Sequence, residues 1–146
     1  MRYQTSAPAQ AYKQVEFGSA GRGKLVVMLY EGAIKFLTLA AEALERNDYA
    51  QKGLYIGRAT DVIGELRSSL NFKDGADIAR QLDRIYQYMI TRLWRANVDR
   101  DQAAVKEVVG LLETLCDAWK QAVQEQLRTP DRSSRPGGGG GLQVTV

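Results

Sequence analysis

Histidine is absent from the 146-residue chain, cysteine occurs once, at Cys116, and no proline lies between Ala9 and Thr129. The missing histidine excludes Ser-His-Asp triads, Cys-His pairs and di-iron bundles built on Glu-x-x-His pairs in their usual forms. Together with the single cysteine it also excludes ordinary structural zinc. Sustained strand-type alternation is lacking too, so the long proline-free middle is predicted to be helical. Residues 1–11 hold no apolar core of signal-peptide length, which with one cysteine fits a reducing cytoplasm.

Charge of one sign is scarce where it would matter most. The net charge is +3 and the pI near 9.1, values that suggest a nucleic-acid footprint until the charges are located. Residues 25–127 carry 13 basic and 15 acidic groups, so the excess of positive charge lies in the flanks. Arg80, Arg84, Arg92 and Arg95 with Tyr88 could form a basic aromatic face for RNA. Asp77 and Asp83 interrupt it, which favours a solvated helix face. The run Gly18-Ser19-Ala20-Gly21-Arg22-Gly23-Lys24 lacks the GxxxxGK[ST] spacing of a phosphate loop and has no strand before it, so it reads as a flexible lead into a helix.

What is present is apolar surface at helical spacing. Leu25 to Leu44, LVVMLYEGAIKFLTLAAEAL, is long enough to cross a bilayer. Glu31, Lys35, Thr38 and Glu42 step by three or four, however, and form one wet stripe that a membrane span has no use for. A buried helix with several dry faces is predicted instead. Asn47-Asp48 gives a turn with an N-cap, and a second helix carries Tyr55, Ala59, Val62, Ile63, Leu66 and Leu70. Phe72 to Gly75 reads as a turn. The third helix has its stripe at Ile78, Leu82, Ile85, Met89, Leu93 and Ala96, with Asn97 placed to end it. Asp99 or Asp101 can cap a fourth, with Val105, Val108, Leu112, Leu115, Trp119 and Ala122 on one stripe and Val109, Cys116 and Val123 on another.

Four long helices with short connections predict an all-α, antiparallel up-and-down four-helix bundle. The expected organisation is an N-terminal arm over 1–22 and a bundle over 23–127, with helices at about 24–46, 49–71, 75–97 and 101–127. A disordered glycine-rich tail is expected over 128–146. Cys116 and Trp119 read as core residues. No residue set supports an enzyme, and no cofactor or metal is expected. Apolar positions exceed what a bundle core uses. The surplus on the first helix, and Tyr86, Ile90 and Trp94 on the third, leaves two readings open: extra internal packing, or a groove for a partner's amphipathic helix.

The order and spacing of several segments resemble the FliS-type flagellin export chaperones. They are Tyr12 and Val15; Lys24 to Ile34 (KLVVMLYEGAI); Ile63 to Leu70 (IGELRSSL); and Ile85 to Met89 (IYQYM). Leu93 to Asn97 (LWRAN) with Asp101, Glu107-Val108-Val109, and Leu115 to Trp119 (LCDAW) complete the set. The resemblance covers about residues 10–125, and the segment Phe17 to Gly23 lacks the proline usual in the family. It implies a cytoplasmic bundle that binds the disordered C-terminal region of flagellin one to one, prevents premature polymerisation, and delivers it to the flagellar export machinery without nucleic acid, membrane insertion or cofactor. Contact residues expected on that basis are Tyr30, Ile34, Ile63, Tyr86, Ile90, Leu93 and Trp94, with the arm around Tyr12 and Val15 lying over the groove when no client is bound. The alternative from another class is a bundle that self-associates, for instance as a homodimer, through the same surface.

Overall fold

A computed structural model describes residues 19–128. These form α1 (Ser19–Glu45), α2 (Tyr49–Ser68), α3 (Ala76–Asp99) and α4 (Gln102–Arg128). The expected arm residues Tyr12 and Val15 and the glycine-rich tail lie outside the described residues. The helices pack around one core in an antiparallel ring, so α1 and α3 face each other across it. The glycine-containing run before Leu25 is already helical from Ser19, and Gly23 is buried.

The turns follow from local chemistry. Asn47 ends α1 with φ of 59°, a left-handed conformation that asparagine tolerates better than most residues. Next to it, Asp48 accepts a hydrogen bond from the Gln51 backbone N–H at 3.1 Å and caps α2. Asn71 closes the α2–α3 turn by accepting from the backbone N–H groups of Lys73 and Asp74 at 3.0 and 3.2 Å. Asp101 caps α4 by accepting from the Ala104 N–H at 3.2 Å.

Asn97 does not end α3. The buried Lys52 ammonium donates to its side-chain oxygen at 2.5 Å and to its backbone carbonyl at 3.0 Å, which holds Asn97 within the helix. The left-handed residue is Arg100, with φ of 55°; its guanidinium lies 3.7 Å from the centroid of the Tyr49 ring. Burial first, and Arg100 second, hold the Lys52 pKa below the ordinary lysine value.

Side-chain size sets the spacing of the ring. The core face of α1 offers Ala33, Ala40, Ala41 and Ala43, which let α2 and α4 approach closely. α3 offers Leu82, Tyr86, Met89 and Leu93, and it packs less intimately against both neighbours. Its expected core stripe holds at Leu82, Met89, Leu93 and Ala96 and shifts by one residue at two positions, from Ile78 to Ala79 and from Ile85 to Tyr86. Ala79, Leu82, Tyr86, Met89, Leu93 and Ala96 point inward, while Ile78 is 57% exposed and Ile85 half-buried. Both registers step by three and four, and the one adopted carries Tyr86 inward, where its hydroxyl meets that of Tyr30 on α1.

The expected wet stripe of α1, Glu31, Lys35, Thr38 and Glu42, is exposed, and no helix among the described residues is long and apolar enough to cross a membrane. On α4, Val105, Val108 and Leu112 fill the core in the first half, and Cys116 and Val123 in the second. A helical period of 3.6 drifts against a seven-residue repeat, so both stripes are used in turn.

The tyrosine pair fixes a stability profile. Burial pushes the Tyr30 pKa up to about 12, partly offset by hydrogen bonds from the Tyr86 and Trp119 side chains. Tyr86 is raised as well, by burial first, then by the charge an ionised Tyr30 would carry and by their hydrogen bond. Both phenols stay neutral in the folded state while those of the unfolded chain ionise. Their contribution is therefore intact below pH 10 and lost as pH rises from 10 towards about 12. Urea melts across this window should show Tyr30 alone removing roughly 2–3 kcal/mol by its upper end. At neutral pH, Tyr30→Phe strands the Tyr86 hydroxyl and should cost about 1–3 kcal/mol, part of which returns when Tyr86→Phe is added.

Candidate functional site

The structure separates the seven residues expected at a groove. Tyr30, Ile63, Tyr86 and Leu93 are fully buried in the core, so in this conformation they offer no surface. The reason is the ring geometry: each sits at the centre of its helix's inner face, where an apolar side chain has neighbours on all sides. Ile34 is half-buried on α1, one turn beyond Glu31, whose carboxylate meets the Lys120 ammonium of α4 at 3.3 Å. Ile90 and Trp94 are brought together as i, i+4 neighbours on α3, the first half-buried and the second 64% exposed.

The candidate surface is therefore organised by α3 and its two seams. On the α2 side, Arg67 pairs with Asp83 at 2.6 Å, and Gln87 donates to the same carboxylate at 2.8 Å. This holds the Asp83 carboxyl below its ordinary pKa, chiefly through the Arg67 hydrogen bond. Heptad steps from Asp83 lead to Ile90 and Asn97, and from Arg67 back to Thr60 and Gly53. Beyond the polar clasp, Gly53 of α2 comes near α3, a Cβ built on it meeting Asn97 Oδ1 at 3.9 Å. A Cβ built on Gly57 or Gly64 would meet nothing within 4 Å. Leu54 on α2 and Val98 on α3 are 45% and 61% exposed.

On the α4 side, Glu107 accepts from the Tyr88 hydroxyl at 2.5 Å and from the Arg92 guanidinium at 2.6 Å, clasping the lower half of the seam. These two bonds hold the Glu107 pKa low, the Tyr88 bond contributing most. Steps of seven back from Arg92 reach Ile85 and Ile78; steps of four on from Glu107 reach Leu111 and Leu115. All are apolar, and Ile85, Leu111 and Leu115 are half-buried. The α2–α3 seam thus carries two polar contacts, Arg67–Asp83 and Lys52–Asn97, and the α3–α4 seam carries one at Glu107 with an apolar stretch beyond it.

Sequence reasoning missed the upper α3–α4 seam because it placed Ile78 and Ile85 in the core. Gly53, Gly57 and Gly64 share one flank of α2, where each costs about 1 kcal/mol relative to alanine. The arginine face reads as solvated, since Arg80, Arg92 and Arg95 all pair with carboxylates. Cys116 is a buried thiol whose pKa is raised, first by burial. Among the described residues no group of three or more His, Cys, Asp and Glu side chains could hold a metal.

These elements define an all-α four-helix bundle with exposed apolar groups along α3, its least closely packed helix. Comparison with known proteins gives the particular family. Residues 4–126 match the flagellar protein FliS family, and the chain belongs to it. It is 37% identical over 133 residues to the flagellar secretion chaperone FliS of Bacillus subtilis, covering 91% of this chain and 95% of that protein. Similarity to the FliS of Salmonella typhimurium is 38% over 122 residues, 80% of this chain and 90% of that one. For the Vibrio cholerae protein of the same name it is 35% over 120 residues, 80% and 88%.

Burial separates core from surface in a testable way. Trp94→Ala should shift stability by no more than about 0.5 kcal/mol in chemical denaturation, as for other exposed positions. Tyr86→Ala, which empties a buried site, should cost about 3–5 kcal/mol.

Proposed function

We propose that the protein is a cytoplasmic chaperone for the disordered C-terminal region of flagellin, which it binds one to one and holds until delivery to the flagellar export apparatus. The observation that carries this reading is the coincidence of FliS family membership with apolar seams left open on both sides of α3. The physical case is direct. A secreted subunit whose terminal segment carries helical apolar stripes but is unfolded alone is an association hazard. Open seams can cover such stripes, while the ordering cost of the client keeps the complex reversible. No nucleotide, metal or catalytic step is needed.

Within this reading Trp94 and Ile90 are the anchors of the α2–α3 seam, because large exposed apolar groups supply most interface energy. Ile34 contributes from the α1 flank. Tyr30, Ile63, Tyr86 and Leu93 act from below by fixing the shape of the floor. The N-terminal arm, with Tyr12 and Val15, covers part of this surface in the client-free protein.

Calorimetric titration with the C-terminal flagellin segment of the same organism should give saturable one-to-one binding with a negative heat-capacity change. Trp94→Ala should weaken it roughly tenfold or more, about 1.4 kcal/mol, with melting unchanged. Deleting residues 1–17 should leave binding equal or tighter; a large loss would contradict the covering role. Absence of binding with both chains intact, together with a concentration-dependent dimer in sedimentation, would return the protein to the self-associating class.

A further inference from the structure

The residues that open α3, Ala76 to Asp83, are held differently from the rest of the helix. Ala79 and Leu82 are the two that are buried, and Leu82 is the one large side chain this stretch gives to the core. From Tyr86 onward the inner face is closed by Tyr86, Met89, Leu93 and Ala96, all fully buried. Polar contacts made by buried side chains also act on that later part: the Tyr86 hydroxyl meets Tyr30 on α1, and Asn97 accepts from the Lys52 ammonium on α2. The start of α3 has neither. Its N-cap is Gly75, which makes no side-chain cap, whereas Asp48 and Asp101 cap α2 and α4. The connection leading into it, over 69–75, is the longest of the three, the others being 46–48 and 100–101. What ties this stretch to α2 is the Arg67 guanidinium on Asp83 at 2.6 Å, a pair whose side chains both reach solvent. Gln87, one turn on, braces the same carboxylate.

We propose that Ala76 to Asp83 form a flap that opens as one unit ahead of a fixed point at Tyr86, with the Arg67–Asp83 pair as its latch. Local opening costs least where few apolar groups are buried and the polar bonds are open to solvent. Both conditions hold before Tyr86 and fail after it. The flap is about 12 Å long, and a helix of two turns is not stable alone in water, so it unwinds as it leaves the bundle. Residues 86–99 stay in place, because moving them would strand the Tyr30 hydroxyl and the Lys52 ammonium among buried groups. The opening uncovers apolar surface at the latch: Leu66 and Leu82 flank the Arg67–Asp83 pair in sequence, and both belong to the core. Surface that is closed at rest becomes available for part of the time. Its use in taking up a client rests on the function proposed above; the opening itself is a property of the free chain.

Native-state amide hydrogen exchange on the full, client-free chain, repeated in rising urea below the unfolding transition, tests this. The amides of Arg80 to Arg84 donate to carbonyls inside the flap. They should share one opening, exchange roughly tenfold or more faster than those of Met89 to Ala96, and depend less steeply on urea, because less surface is exposed. Arg67→Gln, at a side chain that reaches solvent, should speed the Arg80 to Arg84 group roughly two- to fivefold, the range for an exposed ion pair, and leave Met89 to Ala96 unmoved. Protection equal to that of Met89 to Ala96 would overturn the proposal, since α3 would then open as a whole. So would rates that fall off residue by residue from Arg80 to Arg84, which is ordinary fraying, or an Arg67→Gln effect that is absent or equal in both groups, which would remove the latch.

Discussion

One hydrogen bond between two phenols ties the bundle together across its diagonal. Tyr30 and Tyr86 are separated by 56 positions in sequence, sit on helices that are not ring neighbours, and are both fully buried. A buried hydroxyl without a partner is costly, so each tyrosine specifies the rotation of the other's helix. The inward turn of Tyr86 is what carries Ile78 and Ile85 outward, and with them the apolar lining of one seam. The surface of α3 is in this sense a consequence of its core.

The two flanks of α3 show how a helix can be held without being enclosed. Alanines on α1 let two neighbours come close, and the larger core side chains of α3 keep its own neighbours apart. Charge-assisted bonds from Arg67 to Asp83, from Arg92 to Glu107 and from Lys52 to Asn97 then fix its register at three points instead of along its length. Apolar surface stays available, while exposed polar bridges keep α3 from sliding or collapsing onto its neighbours.

The four helices, the turn at Asn47 and Asp48 and the cap at Asp101 are legible in sequence because they depend on residues a few positions apart. On α3, Leu82, Met89, Leu93 and Ala96 are legible too, but the choice of Ala79 over Ile78 and of Tyr86 over Ile85 is not. Two stripes with the same three-and-four spacing compete there, and the decision rests with a phenol on α1. The end of α3 is hidden for a similar reason: Asn97 is a good helix terminator until Lys52, distant in sequence, claims its side chain and carbonyl. At the candidate surface, residue type alone ranks Tyr30, Ile63, Tyr86, Leu93 and Trp94 alike as large apolar groups. Only the packed bundle distinguishes the four that are enclosed from the tryptophan that is open.

Four antiparallel helices bring both ends of the folded region out of the same pole, and the opposite pole consists of two short turns joined by Lys52, Asn97, Arg100 and Tyr49. Anything attached to either terminus therefore crowds one pole and spares the other. Immobilised through an end, the molecule stands upright, with both seams of α3 rising away from the support and the capped turns foremost. The same geometry leaves the tip formed by Lys52, Asn97, Arg100 and Tyr49 rigid and clear of both ends of the folded region.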